Sequence, residues 1–198
     1  MTHALGRVIR RPRGTRGQAE GCDLCAVELP KPHRHLLDTG SRQVRCICQA
    51  CSLLFGLEAA GGEHYRLVPR RRLRLPAPPD LPTARLGVPV GLAYFIVRDD
   101  GTVDAHYPSP AGPTRWEIDP GAWLALLASH PDLASMKPEV EALLVNAIRG
   151  RREQWLVPVD DCFALVAILR REWRGLSGGR TVWPEIDAFF AGLTEVRR

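Results

Sequence analysis

Between Cys22 and Cys51 the chain reads CDLCAVELPKPHRHLLDTGSRQVRCICQAC, which packs five cysteines and two histidines into thirty residues. No other stretch restricts the possible folds so strongly. Thiolate and imidazole donors hold a tetrahedral ion only if they converge, so the backbone must bring separate turns to one point. Cys22 and Cys25 form one C-x-x-C pair, and Cys48 and Cys51 form a second. In a tight turn both sulfurs of such a pair face one centre. The second pair runs into Ser52-Leu-Leu-Phe55, which reads as helix, and residues three apart share a helix face. The 22 residues between the pairs slightly exceed the roughly 15–20 of a usual four-cysteine site.

The segment between the pairs supplies three more donors. Asp38-Thr39-Gly40-Ser41 is a good turn. As a four-residue loop joining two strands it pairs Leu37 with Arg42, His35 with Val44 and His33 with Cys46. Strand residues two apart share a face, so His33, His35, Leu37, Val44, Cys46 and Cys48 would lie together. Three arrangements are open. One zinc ion is held by Cys22, Cys25, Cys48 and Cys51; or His33 or His35 replaces one thiolate; or all seven groups, Cys46 included, hold two metals or an iron–sulfur cluster. Closed thiolate sites with this spacing are mostly structural, which makes Zn2+ the leading ion. Four thiolates around one iron have the same spacing, so Fe or an iron–sulfur cluster is the alternative. A bound ion would contribute folding free energy to a module too small for a core of its own.

Charge and composition divide the rest of the chain. Residues 1–20 carry Arg7, Arg10, Arg11, Arg13 and Arg16 against Glu20, and they account for nearly all of the formal net charge of +5. This segment, rich in turn formers, reads as a disordered basic tail. Residues 21–75 form the Cys/His module. Five prolines between Pro76 and Pro89 exclude regular helix or central strand, so 76–89 reads as a Pro-rich linker. Residues 90–198 form the larger domain. No stretch of eighteen uncharged apolar residues occurs and the N-terminus has no apolar core. These features predict a cytoplasmic protein without membrane insertion, in which thiols stay reduced.

Within 90–198, Leu92–Val97 and Thr102–Tyr107 around Asp99-Asp100-Gly101 predict a β-hairpin. Thr114–Ile118 predicts a further strand. Asp119 and Pro120 open a helix. Val140, Leu143, Leu144, Ala147 and Ile148 form a helical stripe over Pro138–Ile148. Gln154–Val157 reads as a short strand. Asp160 or Asp161 caps the longest helix, and Trp183–Leu193 forms the last. The expectation is an α+β protein: a small zinc-ribbon- or treble-clef-like metal module, then a compact domain with a short antiparallel sheet and about four helices.

The metal motifs C-x-x-C, HRHL and C-x-C-x-x-C, with GLAYFIV, HYPSPAGPT, EALLVNAIRG, REQWLVPVDDCFALVAILRREWRGLSGG and VWPEIDAFF, resemble an uncharacterised, mainly actinobacterial protein family. The resemblance covers residues 20–195. Genes of that family lie beside those of actinobacterial-type nickel–iron hydrogenases. The resemblance therefore implies a hydrogenase context, with hydrogenase subunits or maturation factors as protein partners. It implies no reaction, and nothing in composition or spacing points there.

Other residues are weaker candidates. His106 has no evident nucleophile beside it. Asp160 and Asp161 read as helix caps rather than an acid pair. Cys162 reads as a small buried hydrophobe. The arginine runs at 70–72 and 149–152 read as solvated surface, with phosphate or an acidic partner as the alternative. A zinc-ribbon nucleic-acid binder is disfavoured, because the module has only Phe55 and Tyr65 for base stacking. The reading is a non-enzymatic metal-binding accessory protein for a nickel–iron hydrogenase, with an iron electron-transfer protein of rubredoxin type as the rival.

Overall fold

The computed structural model describes residues 20–55, 64–76, 86–87, 91–175 and 178–196. The basic segment 1–19 and most of the Pro-rich stretch, 77–85 and 88–90, lie outside the described residues. The architecture is α+β, and among the described residues no helix is long and apolar enough to cross a membrane.

Strands β1 (Arg34–Asp38) and β2 (Gln43–Ile47) form the expected hairpin, and β3 (Tyr65–Leu67) pairs on the other side of β1. The loop sits one residue later than expected. Asp38 Oδ1 accepts the backbone N–H groups of Gly40 and Ser41 at 3.1 Å each, and Arg42 takes a left-handed φ of 55°. Asp38 thus caps the turn from the last strand position. Leu37 lies opposite Val44 and His35 opposite Cys46, not opposite Arg42 and Val44. A one-residue shift of the loop moves the pairing by two, so the strand side chains keep their face; Cys48, expected on the face of Leu37 and Val44, lies past β2 and packs with Leu36 and Ile47 instead. The sheet has two distinct faces. Leu36 and Ile47, both fully buried, pack with Cys22, Leu29 and Cys48, while Leu37 and Val44 pack on the core of the larger domain.

That domain is built on six antiparallel strands in the order β4-β9-β8-β5-β6-β7, a larger sheet than the short one expected. They are β4 (Leu73–Leu75), β5 (Leu92–Val97), β6 (Val103–Ser109), β7 (Gly112–Trp116), β8 (Glu141–Asn146) and β9 (Glu153–Pro158). Helix α1 (Gln49–Leu53) belongs to the cysteine module; α2 (Pro120–Ser129), α3 (Val159–Glu172) and α4 (Val182–Gly192) cover the sheet. Alternation is clean: Tyr94, Ile96, Ala142 and Leu144 face α3 and α4, whereas Phe95, Leu143 and Val145 face α2. Strand β4, within 21–75, is the sheet's edge and pairs with β9.

One expectation fails here. Pro138–Ile148 is not helical; its centre is β8, which lies between β5 and β9 with all six residues buried. A strand covered on both faces is apolar throughout, and such a run mimics a helical stripe. Tyr107–Pro113 forms a tight hairpin, with Pro108 opposite Pro113 and Ser109 opposite Gly112. Because β7 is an edge strand, the missing N–H of Pro113 disrupts no further ladder.

Buried charges tie the arginine run to this domain rather than to solvent. Glu141 is fully buried and accepts from Arg71 Nε and Nη2 at 3.0 and 2.7 Å and from the Lys137 N–H at 2.8 Å. Arg72 makes a two-pronged pair with Asp161 at 2.7 and 2.8 Å. Asp104, also buried, meets Arg98, Arg115 and Arg42. Burial alone would raise its pKa, but these guanidinium groups outweigh burial and hold it below the usual carboxylate range.

Two outcomes follow from these pairs. Arg71→Met leaves Glu141 buried and unpaired and should cost about 3 kcal/mol in urea unfolding, most of it recovered by adding Glu141→Leu. Asp104 has a folded-state pKa below its unfolded one, so its contribution is present above about pH 4 and lost as pH falls further. Asp104→Asn should therefore flatten the acid limb of a stability-versus-pH curve.

Candidate metal centre

The first pair of cysteines sits in a turn closed by backbone bonds. Cys22 N donates to Val27 O at 2.7 Å, Ala26 N donates to Cys22 O at 2.8 Å, and Ala26 takes a left-handed φ of 61°. Asp23 anchors this turn to the hairpin: its N–H donates to Cys46 O at 2.8 Å and its Oδ2 accepts the Cys46 N–H at 2.8 Å. The second pair is carried by α1. Cys48 is the N-cap, and its sulfur accepts the Cys51 N–H at 3.4 Å. A turn, a hairpin and a first helical turn in that order give the treble-clef-like arrangement.

These pieces bring Cys22, Cys25, Cys48 and Cys51 together, with all four sulfurs within 4.8 Å of one another. Cys25 Sγ and Cys48 Sγ are 3.7 Å apart. Zinc–sulfur bonds of about 2.3 Å in a tetrahedron require sulfurs about 3.8 Å apart. The spacing is therefore that of ligands around one ion, and far from the roughly 2.05 Å of a disulfide. All six cysteines are free. Cys22 and Cys48 are buried, Cys51 is half-buried and Cys25 is exposed, so one corner of the quartet meets solvent.

The electrostatics of the quartet suit a cation. Burial would raise the Cys22 thiol, but N–H groups of Cys48, Cys25 and Leu24 directed at its sulfur bring it down to about 6. The neighbouring sulfurs of Cys48 and Cys25 push Cys51 up to about 12. Close thiols cannot all ionise without a positive charge among them, and a divalent ion supplies that charge.

His33, His35 and Cys46 do not join this quartet. They form a separate group whose donor atoms also lie within 4.8 Å of one another. His35 Nε2 is 3.1 Å from His33 Nε2, and His35 Nδ1 is 2.5 Å from Asp160 Oδ2 at the start of α3. The Asp160 carboxylate beside the ring, followed by the Cys46 side chain, raises His35 to about 9. Asp160 was not legible as part of a site. The Asp160-Asp161 pair looks like a cap in sequence; the N-cap position is Pro158, and Asp160 Oδ1 accepts the Asp161 N–H at 3.0 Å from within the first turn. Asp161 serves Arg72, and Asp160 serves His35.

Cys162, on the inner face of α3, is fully buried in the core, as expected of a small hydrophobe. His106 stacks on Tyr94 at 5.2 Å and lines a cavity of about 180 Å³ with Arg98, Glu139 and Phe163.

Cys25→Ser and Cys51→Ser should each strip the quartet of its ion. Amide exchange in residues 34–47 should then accelerate at least tenfold. Cys162→Ala, which only leaves a small cavity, should cost about 1 kcal/mol and leave exchange in the hairpin and the metal content unchanged.

A family model described as a family of unknown function, DUF5947, matches residues 21–197. No curated protein and no solved structure matches the chain.

Proposed function

The chain belongs to this family of unknown function, and on its own sulfur geometry we propose that it is a metal-binding accessory protein. In this reading the quartet Cys22, Cys25, Cys48 and Cys51 holds one Zn2+ as a closed structural site, and the module so ordered docks onto another protein. The observation that carries it is the convergence of four sulfurs within 4.8 Å of one another, one pair at 3.7 Å, from two turns 22 residues apart in the chain. A site with four thiolates has no open position for substrate, which favours structure over catalysis.

The surface around the quartet supports docking. Leu24 and Val27 beside the first turn are 47% and 52% exposed, and Leu53 and Leu54 after the second are 70% and 63% exposed. Large apolar side chains gathered on a small module suit a protein partner. Arg71 and Arg72, engaged with Glu141 and Asp161, are poorly placed to serve nucleic acid. The family resemblance noted from the sequence supplies the partner class: nickel–iron hydrogenase subunits or their maturation factors, met in the cytoplasm.

Protein purified without air should be colourless and contain zinc. Strong visible absorption with iron in the quartet would replace this reading by that of a rubredoxin-like electron carrier. A protein that retains no metal and takes up no added zinc in the quartet would end both. Leu53→Asp with Leu54→Asp should preserve the zinc and the melting temperature but weaken capture of hydrogenase subunits or maturation factors at least tenfold.

A further inference from the structure

The quartet leaves three metal-binding side chains unused, and the fold gathers them. The hairpin register puts His35 directly opposite Cys46, and His33 two residues earlier points to the same face. All three residues are half-buried. The two imidazoles meet edge to face, with ring centres 4.8 Å apart.

Hydrogen bonding fixes which nitrogens are available. His33 Nδ1 lies 3.3 Å from Pro30 O, and His35 Nδ1 lies 2.5 Å from Asp160 Oδ2. Both oxygens are acceptors, so each Nδ1 carries its hydrogen. Each ring then turns the lone pair of Nε2 inward, and the two Nε2 atoms face each other at 3.1 Å. Two lone pairs do not face each other at that distance without a positive species between them. A proton shared by the two nitrogens is one such species, and a metal ion is the other. A metal ion satisfies all three donors. With zinc–nitrogen bonds of about 2.0–2.1 Å, a tetrahedron sets the two nitrogens about 3.3 Å apart.

We propose that His33 Nε2, His35 Nε2 and Cys46 Sγ form a second site for a divalent transition-metal ion, distinct from the four-cysteine quartet. Asp160 is its positioning residue: a carboxylate accepting the far N–H of a ligating histidine orients the ring and strengthens it as a donor. The ion replaces the Cys46 thiol proton, which passes to solvent. The site differs in kind from the quartet. It has three protein ligands of mixed softness, and its fourth position is left for water or for a donor from another molecule. It also spans the fold, since its ligands lie on the β1–β2 hairpin and its positioning carboxylate on α3. This inference stands independently of the quartet and of the partner named above.

Zinc is the probe. Resident zinc in the purified full chain plus zinc taken up on calorimetric titration should total two equivalents. His35→Ala and His33→Asn should each lower the total to one and keep the ion in the quartet; Cys25→Ser should also lower it to one, by emptying the other site. With cobalt, the first two variants should retain the absorption of a four-thiolate site and lose that of the mixed nitrogen–sulfur site. Asp160→Asn should keep both equivalents and weaken the second by about 10- to 100-fold, with the four-thiolate spectrum unchanged. A wild-type total that neither His35→Ala nor His33→Asn lowers overturns the proposal. If the wild-type total is one, Cys25→Ser leaves it at one and His35→Ala lowers it to none, the quartet fails and this site stands.

Discussion

The amino-terminal module depends on four sulfur atoms meeting. Its own core comprises Cys22, Leu29, Leu36, Ile47 and Cys48, so two of its five buried members are themselves in the quartet. Three aliphatic side chains cannot offset the conformational entropy of ordering some thirty residues. A cation common to four thiolates would supply further attraction holding the two turns and α1 against the hairpin. The backbone bonds of Asp23 to Cys46, and of the Cys48 N–H to Cys22 Sγ at 3.3 Å, set the geometry in which that attraction acts.

The hairpin held in this way has work on both faces. Leu36 and Ile47 lie under the quartet, while Leu37 and Val44 lie on the core shared with α3 and α4. Charges reinforce the second contact. His35 meets Asp160 in the first turn of α3, and Arg72 meets Asp161 one residue further on. The start of α3 is therefore the point at which the module, the segment that follows it and the larger domain come together. A change in the ligation of His35 would be felt by α3 through one hydrogen bond.

Much of this was readable in the residues, and the failures have physical causes. The hairpin face survived a wrong loop assignment because an error of one residue at the turn preserves strand parity. The helices α2, α3 and α4 were readable because each has its own polar face or start signal. Strand β8 was not, because burial on both sides removes the alternation that identifies a strand. The two aspartates opening α3 were read as caps because caps are local; their true partners, His35 and Arg72, lie 125 and 89 residues away in sequence.

The sequence by itself determined that four cysteines would converge and which four they are, because C-x-x-C spacing is a local geometric device that needs only a tight turn. It also determined that histidines and Cys46 would share a face, because strand periodicity is local too. Only the tertiary structure decided that these three stand apart from the quartet, that Asp160 completes their surroundings, and that Arg71 and Arg72 are spent on internal carboxylates. Those outcomes depend on contacts between chain segments tens of residues apart, and no local preference specifies which charge will meet which when the layers close.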